Sequence, residues 1–151
     1  MMLRTIATAA LLALLASACG PDETPDSQVR AVIASGEEAA EARDLSGLME
    51  LVSPAYQDGQ GGGREDLKQY LRGYLVTHQS IHLLLKVDSV EFPYRDMAKV
   101  SLTLGTLGRE AAGSTAFDLA GEVYDVDLEF QLDDGQWRVT RARWRPAAEG
   151  S

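Results

Sequence analysis

The sequence predicts an α+β domain in which helices come first and a meander of antiparallel strands follows. Three observations carry this. Between Ser27 and His78 the apolar side chains recur three and four positions apart, the spacing of one helical face. From Ile81 onward they alternate with polar residues, the period of a half-buried strand. Near the C-terminal end Asp134 and Gly135 separate two such runs, and this dipeptide supplies the positive φ angles of a two-residue hairpin turn.

Ahead of the domain lies an export signal. Arg4 precedes an apolar run of roughly 11 residues, about Ile6 to Ala16, where a permanent membrane span needs about 20, so residues 1–18 are expected to be removed. Ala16, Ser17 and Ala18 stand directly before Cys19, the only cysteine. This stretch resembles a bacterial lipoprotein box, with Ala16 where leucine is commoner. The resemblance implies cleavage before Cys19, diacylation of its thiol and acylation of the new amino terminus, palmitate being the expected chain. Several acyl chains anchor a protein stably where one does not. The protein would then sit in the bacterial envelope facing the periplasm, and Gly20 in place of aspartate after the cysteine implies the outer membrane. An ordinary secretory cleavage site is the other reading of Cys19.

Composition narrows the functions open to the chain. A formal charge of −9 argues against a general affinity for nucleic acid or for anionic lipid surfaces. With Cys19 consumed by lipid, no disulfide, cysteine nucleophile or thiolate metal site is available. His78 and His82 are the only histidines and lack the spacing of a zinc motif. No metal and no cofactor is expected.

Residues 19–26, with Pro21, Pro25 and several acids, form the tether, and residues 27–146 the domain. Ser27 is the expected N-cap of a first helix whose apolar side holds Val29, Val32, Ile33, Gly36, Ala39 and Ala40. Asp44 opens a short second helix with Leu48, Leu51 and Val52, and Pro54 ends it or turns the chain. Asp58 to Gly63 is a glycine loop. It is not a phosphate loop, because Arg64, Glu65 and Asp66 follow it in place of a lysine and a hydroxyl residue. The third helix, Glu65 to about Thr77, carries Leu67, Tyr70, Leu71, Tyr74 and His78 on one stripe. Ile81, Leu83, Leu85 and Val87 alternate with polar neighbours, and Val90 and Phe92 then reverse the phase, which predicts a bulge near Asp88 or Ser89. Pro93 to Asp96 is a turn, Ala98 to Leu104 a strand, Gly105 to Thr115 a loop and Ala116 to Leu132 a long or broken strand. Residues 147–151 are a tail.

The final hairpin leaves one question open. Tyr124, Val126, Leu128, Phe130 and Leu132 define its inner face, and the turn sets position 131 opposite 138 and 129 opposite 140. Trp137 and Val139 continue that face, yet the same phase then turns Arg141, Arg143 and Arg145 inward. A bulge near Thr140 would hand the inner face to Ala142 and Trp144. Without it the arginines line the interior and suit an anionic ligand.

The run Ala42 to Pro54, the helix start Gly63 to Leu67 and the terminal Asp134 to Val139 resemble the nuclear transport factor 2-like superfamily, also called SnoaL-like, over about Ser27 to Pro146. The resemblance implies a strongly curved antiparallel sheet wrapped around the helices. Such a cone-shaped, cystatin-like fold leaves a conical pocket that is catalytic in some members and serves binding or dimerisation in others. In the isomerase-like members a pocket carboxylate takes a proton and a first-helix tyrosine stabilises the oxyanion. Asp58 falls near the carboxylate position, but the first helix here has no tyrosine.

Two functions follow from different classes. The leading expectation is a non-catalytic, lipid-anchored binding or accessory domain, its partner a small molecule, another envelope protein or a second copy through the sheet. Tyr56, Arg141 and Arg143 are its candidate ligand-binding residues. The alternative is a small pocket enzyme of lyase, isomerase or hydrolase type that pairs Asp58 with Tyr70, Tyr74 or His78. The structural reading of the same residues makes Tyr70 and Tyr74 rim aromatics and His78 a helix C-cap.

Overall fold

The computed structural model describes residues 23–110 and 122–147. The expected export signal, Cys19 and the first part of the expected tether lie outside these residues, as do 111–121 and the end of the expected tail. Three helices, α1 (Pro25–Glu41), α2 (Leu45–Glu50) and α3 (Arg64–Thr77), pack against five strands: β1 (Val52–Asp58), β2 (His78–Tyr94), β3 (Met97–Glu110), β4 (Glu122–Asp133) and β5 (Gln136–Pro146). The strand order is β1-β5-β4-β3-β2, in a curved sheet that does not close. The expected α+β architecture is thus the observed one.

Helix α1 begins two residues ahead of the expected cap. Thr24 is the N-cap, Pro25 occupies the first turn and Ser27 is the third helical residue, its hydroxyl and that of Thr24 exchanging bonds of 3.0 and 3.1 Å with each other's backbone N–H. Proline's fixed φ and missing donor suit that first turn, so the tether ends sooner than composition suggested. Val29 is fully buried, and Val32 and Ile33 beside it cover Val100, Leu102, Val126 and Phe130 of the sheet. The indole N–H of Trp137 donates to Gln28 Oε1 at 3.1 Å and ties the last strand to this helix.

Pro54 does not end the helical region in a loop. It lies within β1, an edge strand that pairs parallel to β5, and edge strands accept proline because one side of the backbone needs no ladder donor. Arg64 fixes this strand by donating to the carbonyls of Met49 and Val52. Strand β3 also runs on through Gly105 to Glu110, paired with β2, where a loop was expected. Gly105 fits there because ladders to β2 and β4 on both sides hold the backbone extended, and Gly108 is held by its pairing with Ile81 of β2.

The predicted bulge near Asp88 is present, and so is the one near Thr140 that the sequence left open. The register of β2 on β3 slips between Val87 and Ser89, and that of β5 on β4 slips at Thr140: Phe130 faces Val139 but Glu129 faces Arg141. Position 129 therefore opposes 141 and not 140, and the Thr140 hydroxyl donates to the Glu129 carbonyl at 3.2 Å. Between β4 and β5 the chain turns through Asp134 (φ 49°) and Gly135 (φ 73°).

Candidate functional site

The sequence-predicted residues separate into three places. The first is the end of β1, where Tyr56 and Asp58 share a face of the strand. Tyr56 is 2% exposed, packed with Met49 and Val52 beneath Leu67 and Leu71, and its hydroxyl has no hydrogen-bond partner among the described residues. Burial, with the Asp58 charge adding to it, pushes the phenol up to about 12. Asp58 itself serves its own loop. Its Oδ1 accepts the backbone N–H of Gln60 at 2.7 Å and of Gly62 at 2.8 Å, and its own N–H donates to the Gly62 carbonyl. The glycines are needed for this: Gly61 sits at φ 89°, and a Cβ on Gly62 would collide with the Asp58 carboxylate. Among the described residues Asp58 bonds to no tyrosine or histidine.

The second place is the open end of the concave face. Tyr70 and Tyr74 lie one turn apart on α3; Tyr70 packs against Trp144 of β5, and both lie near Tyr124 of β4. The rings of Tyr70 and Trp144 are 6.2 Å apart and tilted by 31°, and they are 58% and 41% exposed. Tyr74 stacks on His78 at 4.0 Å. His78 Nδ1 lies 2.9 Å from the Tyr74 carbonyl and 3.0 Å from Thr77 Oγ1, so the imidazole caps the end of α3. The Tyr124 hydroxyl donates to the Glu122 carboxylate. That bond favours the neutral phenol and, with burial and the Glu122 charge, raises it to about 12. Burial raises Tyr74 as well; the Thr106 hydroxyl partly offsets this, and Tyr70 and Glu122 add to it.

The third place is the opposite face. Because the bulge falls at Thr140, Ala142 and Trp144 join the concave side opposite Leu128 and Val126, and Arg141, Arg143 and Arg145 point away from it. Arg141 and Arg143 stand 4.0 and 3.9 Å from Glu129, and Arg145 reaches Asp125 at 3.4 Å and Asp127 at 3.7 Å. Of the two phases the sequence left open, the bulged one is observed and the candidate ligand-binding residues Arg141 and Arg143 do not line the cone, since turning guanidinium groups inward would have buried charge without partners. A shallow cleft of about 200 Å³ between the glycine loop and β5 is lined by Asp58, Gln60, Arg143 and Trp144.

The structure thus assembles Tyr70, Tyr74 and His78; Asp58 borders a cleft with Trp144 but bonds to none of the three, and the Tyr56 hydroxyl is buried without a partner among the described residues. Glu122, Tyr124 and Trp144 are the residues that sequence reasoning did not assign to a site. Alternation placed Tyr124 on the inner face and a bulge near Thr140 would add Trp144, but only the folded structure shows Trp144 against Tyr70 and Tyr124 near Tyr70 and Tyr74. Among the described residues no three His, Cys, Asp or Glu side chains are grouped to hold a metal ion. No described helix is long and apolar enough to cross a membrane.

Solved structures share this fold. A candidate scytalone dehydratase from Novosphingobium aromaticivorans superposes with a TM-score of 0.71 at 14% identity, over 82% of this chain and 84% of its own. A candidate dehydratase of the nuclear transport factor 2-like family from Streptomyces avermitilis gives 0.70 at 19%, over 82% and 97%. Bd1075 from Bdellovibrio bacteriovorus gives 0.68 at 10% over 82% of this chain, which spans only 41% of the Bdellovibrio chain. The fold is therefore the nuclear transport factor 2-like one, and proteins sharing it bear the names of dehydratases, isomerases and dehydrochlorinases. No protein-family model matches the sequence, and no curated protein matches it.

Proposed function

We propose that this chain is a lipid-anchored domain of the bacterial envelope that holds a small molecule in the aromatic mouth of its cone without reacting with it. The observation that carries the reading is the convergence of Tyr70, Tyr74, Tyr124 and Trp144 from one helix and two strands, with the Tyr70 and Trp144 rings still accessible. Apolar walls with a few polar groups make a binding site. Catalysis by the expected pair asks for more: a carboxylate within reach of the substrate's proton and a donor beside it. Asp58 has its near oxygen filled by two loop amides and no tyrosine or histidine bonded to it.

The anchor rests on Cys19 and the small residues before it. Cys19→Ala is expected to release the protein from membranes, and a variant that still sediments with them would defeat the lipid anchor. For the mouth, a panel of planar neutral compounds should raise the melting temperature of the purified chain and quench tryptophan emission, because a ligand bound only by the folded state stabilises it. Trp137 is buried and Trp144 is accessible, so loss of the quench in Trp144→Phe locates the site. A quench that survives this change would place binding elsewhere.

A second reading is kept alive by the Glu122–Tyr124 hydrogen bond, a carboxylate and a phenol in one mouth, and by the dehydratases among the fold relatives. Turnover that Glu122→Gln abolishes would replace the binding reading with a pocket enzyme.

A further inference from the structure

The geometry points to a small organic cation, an amine or a quaternary ammonium group, as the class of ligand the mouth takes, with Glu122 as its counter-charge and the rings of Tyr70 and Trp144 as its walls. The inference rests on the binding reading above and says what is bound. The faces of aromatic rings carry negative potential, and a cation within about 6 Å of a ring centroid is attracted to it; aromatic cages are the usual receptors of quaternary ammonium groups. Tyr70 and Trp144 are tilted by 31°, 6.2 Å apart and open to solvent, so a compact cation can approach the two rings from one side.

The charges around the mouth have the sign this needs. Glu122 is exposed, bonds the Tyr124 hydroxyl, and its field also reaches Tyr74, which places one carboxylate among the tyrosines. Among the described residues no lysine or arginine pairs with it. Of the arginines of β5, Arg141 and Arg145 are turned to the other face by the Thr140 bulge beside Glu129, Asp125 and Asp127, and Arg143, which borders the cleft that Trp144 also lines, has its guanidinium 3.9 Å from Glu129. An anionic ligand would meet Glu122 directly and would find the Tyr124 proton already donated. A cation meets neither obstacle.

The test compares choline with its neutral carbon isostere, 3,3-dimethylbutan-1-ol, on the purified full chain by tryptophan emission and melting temperature. Choline is expected to bind at least about tenfold more tightly than the isostere, the factor that roughly 1.4 kcal/mol of cation–π and ion-pair energy supplies. Glu122→Gln should weaken choline about tenfold and leave the isostere unchanged, whereas Tyr124→Phe, which frees the carboxylate from its phenol, should retain choline binding. Phosphatidylcholine vesicles run alongside separate a lipid headgroup from a free solute, and Glu122-dependent binding of either supports the inference. An isostere that binds as well as choline, or choline binding indifferent to Glu122→Gln, overturns the cation while the mouth stays a binding site. Silence from both compounds overturns it too, and the neutral planar panel then decides the mouth separately.

Discussion

Replacing Asp58 separates a loop-holding carboxylate from a catalytic one. Asp58→Ala removes the acceptor of two short bonds, to Gln60 N–H at 2.7 Å and Gly62 N–H at 2.8 Å, and leaves a loop with Gly61 at φ 89° to find its shape unaided. Each such bond contributes about 0.5–1.5 kcal/mol net, and this loop is partly exposed, so the loss should be about 1–2 kcal/mol. For a domain of this size that is a fall of roughly 3–8 °C in melting temperature. Asn keeps the acceptor oxygen and loses only the charge assistance, so Asp58→Asn should fall less than half as far. The same substitution has a second readout. Removing the Asp58 charge should lower the Tyr56 phenol from about 12 yet leave it above its ordinary value of 10.0, because burial is the larger cause. Calorimetry with ultraviolet titration of the phenols measures both effects. The reasoning is refuted if Asp58→Ala melts with the wild type, or if Asn costs as much as Ala.

Two further substitutions test the packing around the site. Tyr56→Phe deletes a hydroxyl with no partner among the described residues, so at neutral pH it should be neutral or stabilising by up to about 1 kcal/mol in urea unfolding. Because the folded-state phenol is raised, the folded chain keeps a proton that the unfolded chain releases. Wild-type stability is therefore whole below about pH 10 and declines toward pH 12, a decline that Phe should lessen. A Tyr56→Phe variant markedly less stable at pH 7 would mean that the hydroxyl has a partner after all. Trp137→Phe loses the bond to Gln28 and part of a buried ring, and should cost roughly 1.5–3 kcal/mol; an unchanged urea midpoint would show that the tie between β5 and α1 is idle.

The sequence by itself determined the helices-then-strands order, the turn at Asp134-Gly135 and the bulge near Ser89, and it narrowed the last strand to two phases, because these follow from local chemistry. A φ of 49° at Asp134 and 73° at Gly135 is what Asp-Gly adopts cheaply, and a reversal of alternation cannot be accommodated in a strand without an extra residue. It also contained the reason the arginines leave the cone, since burying them unpaired costs more than one bulge. It concealed β1, because Pro54 breaks the pattern of a strand and only a neighbour, β5, makes an edge position for it. The continuation of β3 through Gly105 was hidden for the same reason: ladders on both sides, not side-chain preference, hold it extended. The mouth was decided wholly by tertiary structure. Tyr70, Tyr124 and Trp144 are far apart in the chain, each reads as an ordinary inward aromatic, and their meeting depends on where α3 crosses the curved sheet. Asp58 shows the converse: a carboxylate beside a glycine loop looks available in sequence, and the folded loop turns its amides onto it.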